Sequence, residues 1–202
     1  MITIIDYNTC NVGSIQNMLR KLGYDSVVTN NQEKIFNATK LILPGVGAFD
    51  HGINNLKELG LIPIIKEKVN SGTPILGICL GYQLLSRSSE EGKEAGLGLI
   101  EADTIKFSLE NTKLKTPHMG WNNLIYNGNF KLFHGLDANA RFYFVHSYFV
   151  KCDSPSIISA NTEYGGMFAS AIEKENIFGV QFHPEKSHKY GMRIFTNFIN
   201  AK

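Results

Sequence analysis

Residues 74–85, PILGICLGYQLL, join an uninterrupted apolar run to a stretch with helical character. An apolar run without alternation is typical of a strand that is buried on both faces of a parallel sheet. Short β-branched runs alternate with helical stretches through the whole first half of the chain. The sequence therefore predicts an α/β fold in which a mostly parallel central sheet is flanked by helices.

The predicted elements follow one another without a Pro-rich or Ser-rich linker, an internal repeat or a low-complexity tract. After Gly98 the runs become shorter and more aromatic, and we expect them to form additional antiparallel strands. We therefore expect one domain over residues 1–202. The predicted strands are residues 3–5, 27–28, 40–43, 74–78, 104–107, 123–126, 142–150, 157–160, 168–172 and 177–182; the predicted helices are residues 14–22, 53–69, 82–85 and 191–199.

The composition excludes several classes of protein. A hydrophobic fraction of 43% is ordinary for a compact domain and excludes a disordered or fibrous chain. A formal net charge of +2 is too small to indicate a nucleic-acid or membrane partner. No apolar run approaches the roughly 20 residues of a membrane span, and residues 1–6 lack the basic segment of a secretory signal. We expect a soluble cytoplasmic protein with reduced cysteines that binds small molecules or another protein.

A cysteine between two glycines is the first candidate for catalysis. Gly77, Cys79 and Gly81 form a G-x-C-x-G pattern at the end of a buried strand and before a helical stretch. This is the thiol form of a nucleophile elbow, in which the glycines permit a tight turn and the helix N-terminus favours the thiolate. The alternative is a buried cysteine between two glycines that only pack.

A histidine and a carboxylate supply the groups that a cysteine nucleophile requires. His183, Pro184 and Glu185 follow residues 179–182, which we predict to be a strand. The residue before proline favours extended backbone, and side chains two apart in an extended segment point the same way. Glu185 would then orient the His183 ring, and the other ring nitrogen would face Cys79. The alternative is an ordinary polar loop.

Five blocks of sequence resemble the class I, or triad, glutamine amidotransferases, in which Cys, His and Glu hydrolyse glutamine. The resemblance covers the whole chain and implies the family's flavodoxin-like sheet, with Cys79, His183 and Glu185 as the triad. It implies no cofactor and no metal. The blocks are residues 44–49 (PGVGAF), 77–83 (GICLGYQ), 117–122 (PHMGWN), 146–148 (HSY) and 181–187 (QFHPEKS).

The resemblance also implies roles around the triad. The N–H of Leu80 would form an oxyanion hole with a second donor from the peptide of Val46 and Gly47, and a flip of that peptide would switch the site on. The glutamine substrate would be held by Gln83, Glu91, Ser147 and Tyr148.

The block at residues 117–122 resembles the glutaminase subunits of imidazole glycerol phosphate synthases more closely than other members of the family. This implies a heterodimer with a (βα)8-barrel cyclase subunit. The barrel would receive ammonia through a protected route and make imidazole glycerol phosphate and aminoimidazole carboxamide ribotide in histidine biosynthesis. The implied interface residues are Asn11, Trp121, Tyr143 and Lys186.

The first loop departs from the family, which has glycines where this chain has Asn8 and Cys10. Asn8 tolerates a positive φ and can replace glycine, whereas Cys10 cannot be explained in this way. Because this loop would face the partner, an alternative client stays open: a sugar amidotransferase of surface polysaccharide synthesis. A catalytically silent regulatory subunit is a second alternative.

The sequence alone leaves other roles possible for the cysteines. Cys10 is a rival nucleophile at a strand-to-helix junction, although it lacks flanking glycines. Cys152 has no visible activating group beside it. Cys79, His183 and His188 are a possible metal site, but the cysteine lacks the close ligand spacing of zinc motifs.

Overall fold

The structure is a computed structural model that describes residues 1–9, 12–110, 112–126 and 129–201. Its strands are β1 (Ile2–Ile5), β2 (Ser26–Thr29), β3 (Lys40–Leu43), β4 (Ile75–Ile78), β5 (Ala102–Lys106), β6 (His118–Asn123), β7 (Ile125–Tyr126), β8 (Arg141–His146), β9 (Tyr148–Cys152), β10 (Ile158–Glu163), β11 (Met167–Lys174) and β12 (Ile177–Val180). Its helices are α1 (Val12–Lys21), α2 (Gln32–Phe36), α3 (Phe49–Glu58), α4 (Leu61–Asn70), α5 (Leu80–Leu84) and α6 (His188–Asn200).

The central sheet confirms the predicted fold class. Five strands, in the order β2, β1, β3, β4 and β12, pair in parallel. The sheet continues through antiparallel strands β11, β10 and β7, while β9 pairs with β11 and β5. Strands β6 and β8 form a separate antiparallel sheet. The parallel strands end together at one edge, the usual place for a site in such a sheet.

The core has two parts, one on each face of the sheet. Leu76 and Ile78 of β4 pack in a cluster with residues of α1 and α6, whereas Ile75 packs in a cluster with residues of α3, α4 and α5. All four residues of β4 are buried. The continuous apolar run at this strand is therefore explained by helices on both faces.

Four predictions about elements were wrong. Residues 123–126 are not one strand, because Asn123 ends β6 and Ile125–Tyr126 form β7, which belongs to a different sheet. Residues 53–69 are not one helix, because Gly60 adopts a left-handed φ of 65° between α3 and α4. Residues 142–150 divide at Ser147 into β8 and β9, which belong to different sheets. Residues 177–182, expected among the antiparallel strands, contain β12, which pairs in parallel with β4 and antiparallel with β11.

Helix α2 was not predicted at all. The side chain of Asn31 caps it by accepting a hydrogen bond from the N–H of Lys34 at 3.0 Å. In the first loop, Asn8 has a φ of 63°, as the replacement of glycine requires. Cys10 lies outside the described residues. Within the part of the chain that the structure describes, no helix is both long and apolar enough to cross a membrane.

Candidate active site

Cys79 occupies a strained turn at the carboxyl end of β4. Its φ of 55° and ψ of −110° lie outside the regions that a residue with a side chain normally adopts. The two glycines are needed for steric reasons, because a Cβ on Gly81 would lie 1.8 Å from the oxygen of Leu43 and one on Gly77 2.7 Å from the Cα of Tyr82. This geometry is the predicted nucleophile elbow.

His183 reaches the same edge of the sheet from the neighbouring strand. Strands β4 and β12 are parallel, with Ile78 opposite Val180, and the N–H of Cys79 donates to the oxygen of Val180 at 2.9 Å. Because the two strands end at the same level, the residues that follow them are close in space although far apart in sequence.

The His183 ring is held by Glu185, although not by the predicted backbone. His183 is extended, but residues Pro184–Lys186 form a 3₁₀ turn, so the expectation of a fully extended segment was wrong. The turn nevertheless brings Oε1 of Glu185 to 2.7 Å from Nδ1 of His183; the His183 side chain is buried and that of Glu185 is mostly buried. The carboxylate therefore fixes which ring nitrogen is directed away from it.

The electrostatics of the ring suit a partner for a thiol. Burial disfavours the charged ring, but interactions with Cys79 and with Glu185 outweigh burial and raise the pKa of His183. Among the described residues, Nε2 has no hydrogen-bond partner of acceptable geometry, so this nitrogen is available. The Cys79 sulfur lies 3.9 Å from the oxygen of Val145 and 3.8 Å from Nε2 of Gln181.

A cavity of about 290 Å³ opens beside the thiol. Its size is adequate for a single amino acid. The cavity brings together all the residues that the resemblance assigned to the oxyanion hole and to glutamine, and it adds three that were not predicted. It is lined by Val46, Gly47, Cys79, Leu80, Gln83, Glu91, Ser147 and Tyr148, with Pro117, Val145 and His146 in addition.

Two polar side chains that line the cavity already make hydrogen bonds within the protein. Gln83 Nε2 donates to the oxygen of Tyr148 at 3.0 Å and to Oε1 of Gln181 at 3.1 Å, so both of its hydrogens are engaged. Gln83 can therefore offer only its carbonyl oxygen to a ligand. Glu91 accepts from the N–H of Phe49 at 2.8 Å, which fixes the position of its carboxylate.

Two backbone N–H groups of residues that line the cavity, those of Leu80 and Val46, are also engaged. The N–H of Leu80 donates to the oxygen of Gly45 at 3.2 Å, and the N–H of Val46 donates to the oxygen of Thr9 at 3.2 Å. Both bonds involve the peptide that joins Gly45 to Val46. This is the peptide before the one between Val46 and Gly47 that the resemblance implied, and the N–H groups of Leu80 and Val46 are both engaged within the protein.

The geometry of this site agrees with the comparison with known proteins. The family model described as "Glutamine amidotransferase class-I" matches residues 3–201. The chain belongs to this family. The resemblance inferred from the five blocks is thus confirmed, as is the prediction of an enzyme that uses glutamine amidotransferase chemistry.

Several full-length relatives of this amidotransferase are named as subunits of an imidazole glycerol phosphate synthase. "Imidazole glycerol phosphate synthase subunit HisH 2" of Methanococcus maripaludis is 58% identical over 200 residues, covering 98% of each chain. The protein of that name in Pseudomonas aeruginosa is 44% identical with the same coverage. "Imidazole glycerol phosphate synthase subunit HisH" of Sulfurimonas denitrificans is 47% identical, covering 100% of this chain and 99% of the relative.

Solved structures show the same fold at low identity. The structure titled "Crystal structure of glutamine amidotransferase" has a TM-score of 0.77 at 17% identity, covering 98% of this chain and 97% of the other. The structure of PurLQS from Thermotoga maritima has a TM-score of 0.73 at 17% identity, with 98% and 97% coverage. These likenesses confirm the fold of the amidotransferase.

Beside the active site, three of the four expected interface residues form one cluster, in which Trp121 and Lys186 are exposed and Tyr143 is half-buried. Trp121 and Tyr143 are register partners on β6 and β8, with ring centroids 6.1 Å apart. Lys186 Nζ lies 5.6 Å from the centre of the Tyr143 ring. His188, which the sequence did not indicate as part of this surface, stacks on Trp121 at 5.5 Å. Asn11 lies outside the described residues.

The remaining cysteine and metal alternatives gain no support from the geometry. Burial raises the pKa of the Cys152 thiol to about 11, so this thiol is protonated near neutral pH. His188 packs on Trp121 and is not directed to the triad. In the described ranges, no three His, Cys, Asp or Glu side chains are grouped so that they could hold a metal ion.

Proposed function

We propose that the chain is the glutaminase subunit of an imidazole glycerol phosphate synthase and hydrolyses L-glutamine to L-glutamate and ammonia. The observation that carries the proposal is a cysteine in the strained elbow conformation, next to a buried histidine whose other nitrogen is held by Glu185. Full-length relatives at 44% to 58% identity that are named as this subunit support the choice of synthase.

The proposed chemistry assigns one step to each member of the triad. The Cys79 thiolate attacks the side-chain amide carbon of glutamine, and the protonated His183 ring gives its proton to the departing ammonia. Water then attacks the γ-glutamyl thioester while neutral His183 accepts its proton, which releases glutamate and the thiol. Glu185 holds the ring and stabilises its charged form, in keeping with the raised pKa of His183.

We assign recognition of the amino-acid end of glutamine to Gln83 and Glu91. The free carbonyl oxygen of Gln83 and the carboxylate of Glu91 are both acceptors, which suits the α-ammonium group of the substrate. The oxygen of Ser147 accepts from Phe107 and that of Tyr148 from Gln83. The oxygen of Tyr148 also accepts from His146, so the main-chain contact from Tyr148 to glutamine is assigned to its N–H group.

We assign the arrangement at Gly45 to an inactive state of the site. Rotation of the peptide between Gly45 and Val46 would release the N–H of Leu80 and turn the N–H of Val46 toward the cavity. One rotation would thus create two oxyanion donors. Removal of one such donor in a comparable hydrolase lowers the rate by about 10²–10³. Rotation of this peptide would therefore increase the rate of glutamine hydrolysis by a large factor.

The bond that holds the inactive peptide comes from the first loop. The oxygen of Thr9 keeps the N–H of Val46 turned away. Thr9 is next to residues 10 and 11, of which Asn11 is an expected partner contact. Docking of the partner against this loop would therefore draw Thr9 away from Val46 and activate glutamine hydrolysis only when the ammonia has a recipient.

The partner is proposed to be a (βα)8-barrel cyclase subunit that forms a heterodimer through the face of Trp121, Tyr143 and Lys186. Ammonia released into water at neutral pH would mostly become protonated, which is the chemical reason for a protected route. We place the complex in the cytoplasm, where its cysteines stay reduced.

Replacement of Trp121 tests this interface. Because hot-spot aromatic residues cost about 2 kcal/mol or more, Trp121→Ala should weaken the complex by at least about 30-fold in titration calorimetry. The matched control is Ile125→Ala, which removes a similarly exposed apolar side chain from β7. Equal affinities for both variants would remove Trp121 from the interface.

A glutaminase that serves a sugar amidotransferase uses the same chemistry with another client. The relatives named above do not favour this alternative, since each is named as a subunit of the synthase. Identification of the acceptor in the purified native complex separates the two clients.

A glutamine analogue that alkylates thiols tests the glutaminase site itself. We expect 6-diazo-5-oxo-L-norleucine to label Cys79 and not Cys152, with glutamine protecting against the label, as read by peptide mass spectrometry. A catalytically silent subunit would show no glutamine-protected labelling in the presence of the partner.

A further inference from the structure

Two buried histidines face each other across the sheet formed by β6 and β8. His118 and His146 are register partners, 3% and 6% exposed, and Nδ1 of His118 lies 2.9 Å from Nε2 of His146. The His118 ring also stacks between Phe144 at 4.7 Å and Tyr164 at 4.0 Å. The mechanism proposed above uses neither ring.

The surrounding groups determine where the protons of the pair are. Nδ1 of His146 lies 2.7 Å from the oxygen of Tyr148, and because a carbonyl only accepts, this nitrogen carries a proton. In a neutral ring, Nε2 of His146 is then an acceptor. His118 must therefore donate to it from Nδ1, which leaves Nε2 of His118 without a proton.

The other end of the pair leads to the same assignment independently. Oδ1 of Asn122 accepts from the N–H of Asn123 at 2.8 Å, and Nδ2 donates to the oxygen of Glu163 at 3.1 Å. These two bonds fix the orientation of the amide. Its second hydrogen points to Nε2 of His118 at 3.2 Å, which must accept. Both rings are therefore neutral and protonated on Nδ1.

The hydrogen bonds continue from the pair to the nucleophile. The oxygen of Tyr148 that His146 holds also accepts from Gln83 at 3.0 Å. Gln83 donates to Oε1 of Gln181 at 3.1 Å, which leaves Nε2 of Gln181 to donate to the Cys79 sulfur at 3.8 Å. Gln181 is fully buried, so water cannot replace these partners.

We propose that the uncharged His118–His146 pair is a positioning element of the glutaminase site. The pair holds the Tyr148 carbonyl, and through it the pair orients Gln83 and Gln181 against the Cys79 sulfur. The inference rests on the proposed glutaminase function and adds residues that act through others.

The charge state of the pair is consistent with this role. Burial lowers the pKa of His118 to about 4. Burial, followed by the nearby rings of His118 and His183, lowers the pKa of His146 to about 3, against an opposing bond to Tyr148. Near neutral pH both rings keep one donor and one acceptor each, which the chain of hydrogen bonds requires.

Three variants in the complete complex with the partner test the proposal. His118→Phe keeps a ring for stacking but removes the donor to His146, whereas His118→Asn keeps an N–H near the position of Nδ1. His134→Phe is the matched control, because His134 is exposed and far along the sequence from both rings. Glutamine-dependent and ammonia-dependent synthesis are measured, together with KM and kcat for glutamine.

We expect His118→Phe to raise KM for glutamine by about tenfold or more, the effect of about 1.4 kcal/mol in transition-state binding. His118→Asn should recover most of this loss, and His134→Phe should match the wild type. Ammonia-dependent synthesis should be unchanged in all three. Wild-type KM and kcat in His118→Phe, or no recovery in His118→Asn, would overturn the positioning role.

Nitrogen NMR of the wild-type protein keeps the test decisive if a variant does not fold. Both His118 and His146 should show the neutral tautomer with the proton on Nδ1 at pH 7. A proton on Nε2 of either ring, or a charged ring, would overturn the proposal. Absence of glutamine hydrolysis by the wild-type complex would instead contradict the proposed function, and the tautomer result would still decide the hydrogen-bond chain.

Discussion

The carbonyl oxygen of Gly45 accepts a hydrogen bond from the N–H of Leu80 at 3.2 Å, which occupies the donor that the proposed mechanism assigns to a tetrahedral intermediate on Cys79. The same peptide presents the N–H of Val46 to Thr9 instead of to the cavity. Under the proposed function, the triad and the oxyanion hole are therefore arranged separately. Cys79, His183 and Glu185 already lie together, whereas the two proposed oxyanion donors require the peptide between Gly45 and Val46 to rotate.

The first prediction follows from these two bonds. The amide signals of Val46 and Leu80 should change together when the partner and a glutamine analogue bind, because one rotation breaks both bonds. Glutamine hydrolysis should rise by about 10² or more in the same titration. Proton–nitrogen NMR and a coupled glutamate assay measure the two effects. Activation with unchanged amide signals would contradict the peptide rotation.

The second prediction concerns Glu185, which contributes to the raised pKa of His183. Glu185→Gln should lower kcat for glutamine by about 10- to 10³-fold, less than loss of the nucleophile, because the ring loses its orienting and charge-stabilising partner. Glu58→Gln, on the exposed surface of α3, is the control. Wild-type kcat in Glu185→Gln would remove this residue from the triad.

The loss of stability in Glu185→Gln should also depend on pH. A histidine whose pKa is higher in the folded state contributes stability fully below about pH 6.5 and loses it as pH rises through the folded value. Glu185→Gln should therefore destabilise the protein more at pH 6 than at pH 10, as measured by urea unfolding. An equal loss at both pH values would show that Glu185 does not stabilise the charged ring.

The third prediction concerns the neutral pair His118 and His146, whose contribution to stability is lost as pH falls, whereas that of His183 is lost as pH rises. Because the pKa values of His118 and His146 are lowered to about 4 and about 3, the unfolded chain binds more protons between these values and about pH 6.5. Stability should therefore fall as pH falls from 6.5 toward 5, by up to about 1.4 kcal/mol per pH unit for each ring.

His118→Phe should reduce this slope, because one of the two rings is removed. Urea unfolding at several pH values measures the slope for the wild type and for the variant. The raised pKa of His183 acts above pH 6.5, so it does not obscure the comparison. An unchanged slope in the variant would show that His118 is not held neutral in the folded protein.

Much of the site could be predicted from local sequence. The apolar run of β4 and the glycines around Cys79 predict a buried strand and a tight turn, and the structure has both because Gly81 has no room for a Cβ. His183 and Glu185 were recognisable because they follow a second apolar run. Pairing of β12 with β4 brings the two segments together, and this long-range contact has no local signal.

The features that escaped sequence reasoning depend on tertiary contacts. His118 and His146 are ordinary polar residues in sequence, and only the register of β6 with β8 makes them a pair. The engaged state of Leu80 depends on a carbonyl from a distant loop. Gly60 was the exception, because a glycine after an apolar helical segment is a usual helix end and could have divided residues 53–69.

Cys79→Ala in the complex with the partner tests the central claim most directly. The account predicts that glutamine-dependent synthesis falls by at least about 10³-fold, because the thioester cannot form, while ammonia-dependent synthesis stays within about twofold of the wild type. Cys152→Ala, the matched control, should retain both activities. Glutamine-dependent synthesis at the wild-type rate in Cys79→Ala would contradict the account.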